Sequence, residues 1–379
     1  MFELVPGQQP VKDLFARGIR EGRLSHAFLF AGPEGLAKTV FARELGVALV
    51  ASCGGCGACA ECERARRGLH PDLHVVEREG DVFRVEQVQP IIADLGLKPF
   101  SGSRRVWVIP EVEYLNAAAA NKLLKSIEEP PDYVYFLLVT DRVERVLPTI
   151  VSRCQLVEFR PLSDEEVTQY LSERYGLAGE EAVALARLSG GAVERGQRLA
   201  EDAARGREAR RPQYLKWTAR AAAGTPGGDG PDPAEAFIAV LDGHQQEIKM
   251  VAQDELKARV AELERQFQDK RDCAWYVRQA EERARREESR LRRQAAQDAV
   301  DVLTSWLRDL WVVACGGSDV LWNSDHAGDL AGEAVATPDY YARLLAVAAR
   351  ARTDLYMNVD HKLALQAMFA RFGEVVESA

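Results

Sequence analysis

Four thiols fall within the segment SCGGCGACAEC: Cys53, Cys56, Cys59 and Cys62, each separated from the next by two residues. Such gaps let successive thiolates converge on one ion, and Gly54, Gly55 and Gly57 permit the tight turns between them. Four sulfurs complete the tetrahedral shell of Zn²⁺ and leave no open coordination position, so the chemistry is structural rather than catalytic. An iron–sulfur cluster and uncomplexed thiols are the alternatives, although the Cys-Pro signature of bacterial ferredoxins is missing. His70 and His74 lie close enough to replace a cysteine, but His70-Pro71-Asp72 reads more simply as a turn into the strand LHVVE.

A second chemical pattern is HAFLFAGPEGLAKT, from His26 to Thr39. It reads as strand, loop and helix: an apolar run from Ala27 to Ala31, loop residues including Gly32 and Gly35, then Lys38-Thr39 opening a helix. Backbone N–H groups of such a loop cradle a polyphosphate at the positive end of the helix dipole. Lys38 reaches the β/γ-phosphates and Thr39 ligates Mg²⁺, giving an ATP/Mg²⁺ site. Ala37 stands where the pattern has glycine, and an ordinary strand-to-helix turn is the competing reading. Another buried-strand candidate, RRVWVI, is followed by Pro110-Glu111 where a phosphate-loop ATPase has Asp-Glu. Proline offers no carboxylate to retain Mg²⁺, whereas Glu111 keeps the place of the acid that activates water, so binding is expected to outlast hydrolysis. A register slip that gives Glu111 the metal-holding role is the minority alternative. Thr140, at the end of the apolar run YVYFLLVT, is expected to face the γ-phosphate.

The elements that must position these groups are legible as patterns. Val11, Leu14, Phe15 and Ile19 define one face of a helix beside the nucleotide pocket, preceded by Gly7-Gln8, an adenine-side contact or simply a loop. Asn116 caps a helix that ends at Glu128-Glu129-Pro130-Pro131. Ser163 and Glu166 form a capping box that opens a helical lid. Glycines and prolines break the chain at residues 221–233. Leu256, Val260, Leu263 and Phe267, and then Ala299, Leu303, Trp306, Leu310 and Val313, step at helical intervals, as in an antiparallel helix pair. Between them, residues 278–293 hold seven arginines and four glutamates, a solvated face or a DNA-backbone contact. Apolar residues from Leu344 to Phe369 imply further helices.

Size and composition bound the rest. A chain of 379 residues, 47% hydrophobic and 28% charged, has room for two or three domains and lacks any apolar run of membrane-spanning length. Its start carries no basic region followed by an apolar core, so a cytoplasmic location with reduced thiols is expected. A net charge of −9 confines any nucleic-acid contact to a local basic face or to basic partners.

Taken together, HAFLFAGPEGLAKT, the cysteine cluster with GLHPDLH behind it, AAANKLLKSIEEPP and LPTIVSRCQLVEF resemble bacterial clamp-loader subunits of the AAA+ class over about the first 200 residues. The resemblance implies an α/β plus all-α chain. It has a parallel-sheet nucleotide-binding domain at 1–160 with an inserted zinc module at 53–62, a lid at 161–205, and a helical collar domain at 206–379. It also implies structural zinc, with Cys53 the ligand that departs from the family spacing, and an arginine finger at Arg153 serving the ATP site of a neighbouring subunit. Arg195 becomes the lid arginine that senses nucleotide. The implied partners are other clamp-loader subunits of the gamma/tau and delta kinds, the sliding clamp and primer–template DNA, with no membrane. The role expected is that of a stator-like subunit of a DNA polymerase holoenzyme, a nucleotidyltransferase assembly, with its own ATPase absent. An active motor or helicase ATPase, and a zinc-containing DNA-binding adaptor without nucleotide, are the alternatives.

Overall fold

The computed structural model describes residues 1–76, 78, 83, 85–224, 231–266, 270–317, 320–357 and 359–378. The chain divides into two compact units: Met1–Arg174 with Ser189–Gln197, and Tyr175–Leu188 with Arg198–Ala379. The stretch expected to be a lid is therefore shared between them.

The first unit is built on a parallel sheet of five strands: β1 (Ala27–Ala31), β2 (Leu73–Val75), β3 (Arg105–Ile109), β4 (Val134–Thr140) and β5 (Gln155–Glu158), in the order β2-β3-β4-β1-β5. All four pairings are parallel, with Ala31 opposite Thr140 on one side and Glu158 on the other. Strands buried on both faces read as continuous apolar runs, which is why β1, β3 and β4 were visible as such. β5 is an edge strand in which only Val157 is buried. The helices are α1 (Gln9–Glu21), α2 (Lys38–Val50), α3 (Ala60–Arg66), α4 (Val85–Asp94), α5 (Ala117–Glu128), α6 (Pro148–Val151) and α7 (Asp164–Tyr175).

Alternation along β1 sends its side chains to two cores. On one face, Phe28 and Phe30 meet Phe15 and Phe41 in an edge-to-face cluster, with centroids 4.8 Å apart for Phe15 and Phe28 and 5.4 Å for Phe30 and Phe41. On the other, Leu29 joins Phe136, Leu138, Trp107, Ile109, Leu123 and Ile127. Phe15 thus docks α1, but Leu14, expected on the same face, is exposed. Asn116 caps α5, its side chain accepting the Ala119 N–H at 2.8 Å. The capping box of α7 is formed reciprocally: Ser163 N–H donates to Glu166 and Glu166 N–H donates to Ser163 Oγ. Arg160 adds two bonds to the same Glu166 carboxylate, at 2.7 and 2.8 Å.

Helices α8 (Gly179–Ser189) and α9 (Val193–Ala203) follow, each divided between the units. The second unit is otherwise α10 (Arg210–Ala222), α11 (Pro233–Gln266), α12 (Lys270–Ala314), α13 (Ala327–Glu333), α14 (Pro338–Tyr356) and α15 (His361–Glu377). Helices α11 and α12 are the expected antiparallel pair, except that the arginine run does not lie between two helices. With no glycine or proline from Lys270 to Ala314, it forms part of one continuous 45-residue helix. Ala299, Leu303, Trp306 and Leu310 are buried along it. Phe267 and residues 225–230 of the expected break lie outside the described residues. The further helices expected here are present, and within them Leu344, Leu355, Leu365, Met368 and Phe369 are buried, whereas Leu363 is exposed. Among the described residues no helix is long and apolar enough to cross a membrane.

Candidate nucleotide loop and metal–thiolate site

The loop between β1 and α2 needs backbone conformations that few residues adopt. Gly32 has φ 146° and Gly35 φ 82°, and a side chain at Gly32 would place its Cβ 2.4 Å from the Phe159 carbonyl oxygen. Ala37 takes the left-handed region at φ 57° although it has a Cβ, a conformation costing an L-residue roughly 1–2 kcal/mol. That conformation turns the chain into α2, whose first residue is Lys38.

Lys38 is 3% exposed, and its ammonium donates to the Pro33 carbonyl at 2.5 Å and pairs with Asp141 Oδ1 at 2.7 Å. Asp141 follows Thr140, the last residue of β4, which the parallel register sets beside Ala31. Thr140 is buried and its hydroxyl accepts the Arg142 N–H at 3.1 Å. Glu113 accepts the Asp141 N–H at 3.3 Å, and burial first, then the nearby Asp141 charge, raises its carboxyl above the usual range. Thr39 is half-buried in the first turn of α2.

Glu111, expected in the place of the catalytic acid, sits in the left-handed region at φ 53°. Its carboxylate accepts Arg78 Nε at 3.1 Å and Nη2 at 3.3 Å, and the same guanidinium lies 4.2 Å from the Tyr114 ring centroid. The acids gathered around the lysine are therefore Asp141, directly, and Glu113 behind it. Sequence reasoning missed both. Asp141 was detectable as the residue immediately after the strand-ending threonine, but Glu113 had no signal separating it from Glu111.

The start of α9 approaches the loop within the first unit. Glu194 N–H donates to the Gly35 carbonyl at 3.1 Å, and Gly191, at φ 78°, leaves room for the Leu162 carbonyl. Arg195 is the next residue, half-buried in the first turn of α9. At the chain's entrance, Gln8 is buried in the left-handed region and donates to the Arg160 carbonyl at 2.6 Å. The fold thus gathers Gly32, Gly35, Lys38, Thr39 and Thr140, with Arg195 one residue from a contact to the loop. Arg153 stands elsewhere. It follows α6, donates through Nε to Glu128 at the end of α5 and through Nη1 to the Thr149 carbonyl at 3.0 Å, and its side chain is 38% exposed.

The four cysteine sulfurs lie within 4.8 Å of one another, with Cys53 Sγ 3.5 Å from Cys59 Sγ and 3.4 Å from Cys62 Sγ. A tetrahedron of thiolates at about 2.3 Å from zinc has edges of about 3.8 Å, so the donor set fits that ion. The Cys56 N–H donated to Cys53 pulls the Cys53 thiol down to about 6, and burial pushes Cys62 up to about 12. Gly55 is required at φ 84°, since a Cβ there would lie 2.7 Å from Ala48 Cβ. Arg66 fastens the module to α2 by two bonds to Glu44, at 2.6 and 2.8 Å, and by one to the Gly57 carbonyl at 2.8 Å. His70 is used structurally: Nδ1 accepts the Asp72 N–H at 3.1 Å and Nε2 meets Ser101 Oγ at 3.2 Å. His74 stacks on Trp107 at 4.1 Å. Asp72, another residue sequence reasoning passed over, is fully buried and accepts the N–H groups of Phe100 and Ser101 at 2.7 and 2.8 Å. Burial raises its carboxyl, but those bonds and Arg105 outweigh it and leave the group below its usual value.

Residues 7–163 match the family model described as DNA polymerase III, delta subunit. The chain is 33% identical over 176 residues to DNA polymerase III subunit delta' of Bacillus subtilis, covering 44% of this chain and 52% of that protein. It is 34% identical over 210 residues to subunit delta' of Pseudomonas aeruginosa, covering 52% and 62% respectively. Subunit tau/gamma of Haemophilus influenzae is 32% identical over 178 residues, covering 45% of this chain and 25% of that protein. The chain thus spans between 25% and 62% of the length of these curated relatives.

Proposed function

We propose, from the premise that residues 7–163 belong to the DNA polymerase III clamp-loader family, that the chain serves as a delta-prime, stator-like subunit that helps load the sliding clamp onto primed DNA. Its partners in this reading are gamma/tau and delta subunits, the clamp and primer–template DNA, in the cytoplasm. The units of its work are the α/β domain at 1–160, the lid at 161–205 and the helical collar at 206–379.

One contrast carries the proposal. The loop's own hydrolytic apparatus is compromised: Pro110 supplies no metal ligand, Arg78 holds Glu111, and Asp141 already neutralises Lys38. Arg153, by comparison, is held by a partly exposed ion pair to Glu128 and a bond to Thr149. Such a pair is worth at most about 1 kcal/mol, and the dianionic end of a neighbour's nucleotide outcompetes it. A planar guanidinium then offers two parallel hydrogen bonds to phosphoryl oxygens and offsets charge developing on the γ-phosphate. Zn²⁺ held by Cys53, Cys56, Cys59 and Cys62 has a structural role, closing a loop that has little apolar core of its own. Gly32, Gly35, Lys38, Thr39, Thr140 and Arg195 retain weak contact with ATP/Mg²⁺.

A motor role is the second reading, favoured by the preserved Lys38-Thr39 pair and the similarity to a tau/gamma subunit. Steady-state ATP turnover by the purified chain separates the two. No turnover is expected; turnover that vanishes in Lys38→Ala overturns the stator reading, and activity gained by Pro110→Asp identifies the missing carboxylate as its cause.

A further inference from the structure

We infer that the arginine face of α12 between Arg278 and Arg293 is a docking surface for the phosphodiester backbone of duplex DNA. The inference does not rest on the clamp-loader reading. Residues 278–293 carry seven arginines against four glutamates within a chain of net charge −9. Much of that charge is neutralised locally: Arg286 pairs with Glu282 at 2.9 Å, Arg290 with Glu287 at 2.6 Å and Arg292 with Glu288 at 3.7 Å. Arg278, Arg285 and Arg293 are exposed and, among the described residues, have no carboxylate partner.

Their spacing aligns them. At 3.6 residues per turn, positions 278, 285 and 293 fall within a sector of about 80° and span about 22 Å along the axis. Buried Cys273 and Ala295 and half-buried Val277 and Leu291 lie about 140° around the helix from the middle of that sector, while Arg292, beside the row, meets Gln245 of α11. The three arginines are therefore presented to solvent on a different side of α12 from those buried positions. Ser289 and Glu282 are the residues between, and Glu282 is already engaged by Arg286.

The chemistry of the row selects its occupant. A protein partner needs an apolar interface core, and the sector contains none. A single strand is gripped by aromatic stacking, and among the described residues of this segment the exposed aromatic, Tyr276, projects from the opposite side of the helix. A straight row of cations suits a straight rod: duplex DNA carries a phosphate every 3.4 Å per strand, so about six pass along 22 Å. With no side chain placed to read base edges, binding is indifferent to sequence.

The test is fluorescence anisotropy with the full chain, a labelled duplex of about two turns (about 21 bp) and a single strand of equal length, between about 50 and 200 mM salt. Replacing Arg278, Arg285 and Arg293 by glutamine is expected to weaken duplex binding at least tenfold at low salt. It should also flatten the log–log salt slope by about 2.7, near 0.9 for each lost phosphate contact. Glu282→Gln, which removes the acid of the row and releases Arg286, is expected to tighten binding, a gain that misfolding does not produce. The inference is overturned if the native chain does not bind duplex at about 50 mM salt, or if the triple variant keeps affinity and slope. It is equally overturned if the single strand binds more tightly than the duplex, or if polyglutamate competes as well per charge.

Discussion

Asp141→Asn isolates the contact that dominates the nucleotide loop. Lys38 is 3% exposed and Asp141 39% exposed, with 2.7 Å between them. Breaking a fully buried pair costs about 3–5 kcal/mol and an exposed one about 0–1 kcal/mol. Solvent reaches only the carboxylate here, and the Pro33 carbonyl still accepts from the ammonium, so the loss should be about 1–2 kcal/mol. The same energy currently opposes any anion that would take the ammonium for itself. Removing the carboxylate charge should therefore tighten Mg·ATP binding by about tenfold, since about 1.4 kcal/mol corresponds to a factor of ten. Urea unfolding gives the first quantity from the midpoint at unchanged slope, and titration calorimetry gives the second. A variant as stable as the native chain that binds nucleotide no more tightly would refute the argument. Loss of stability without gain in affinity would show that phosphate does not approach Lys38.

Four further outcomes follow from the geometry. The purified protein should hold one equivalent of zinc, and chelation should lower its thermal midpoint; metal analysis returning less than half an equivalent, or iron, counts against the assignment. Gly55→Ala should destabilise by about 2 kcal/mol or more, because its Cβ meets Ala48 at 2.7 Å at a backbone φ of 84°; a change under about 0.5 kcal/mol in denaturant unfolding would show that the turn relaxes. Asn116→Ala should cost about 1 kcal/mol through the lost bond to Ala119 N–H, read by the same assay. Burial, with the Arg210 charge second, lowers His244 to about 4, below its ordinary 6.5, so the unfolded chain binds more protons between those values. Stability should accordingly fall as pH drops from 6.5 toward 4, by about 1–2 kcal/mol after allowing for partial exposure, and His244→Gln should flatten that part of the profile.

What could be read from sequence was what local rules encode. The β1 run, the Lys38-Thr39 helix start, the Asn116 cap and the Ser163–Glu166 box each depend on residues within a few positions of one another, and each stands where its pattern places it. Helical periodicity also located the α11–α12 pair, but it overvalued Leu14, whose exposure depends on what packs against the helix rather than on spacing. Long-range polar pairing was invisible. Arg78 reaches Glu111 across 33 residues, Lys38 at the start of α2 reaches Asp141 just past the end of β4, and Asp72 serves a loop at Phe100. Charged residues have no periodic signature: Asp141 could be found only by its place after the strand-ending Thr140, and the choice of Glu113 over Glu111 emerges only once the sheet register sets Ala31 beside Thr140.

The central claim, that Arg153 acts on nucleotide held by a neighbouring subunit, is tested most directly in a clamp loader reconstituted with gamma/tau and delta subunits, comparing native chain, Arg153→Ala and Arg153→Lys. Subunit composition by native mass first establishes that each ring assembles; DNA- and clamp-stimulated ATP turnover is then measured. Arginine fingers contribute on the order of 10³ or more in rate, so both variants should assemble and lose most of the stimulated turnover, with lysine failing to restore it. Rings that assemble and hydrolyse ATP at the native rate with either variant would contradict the account.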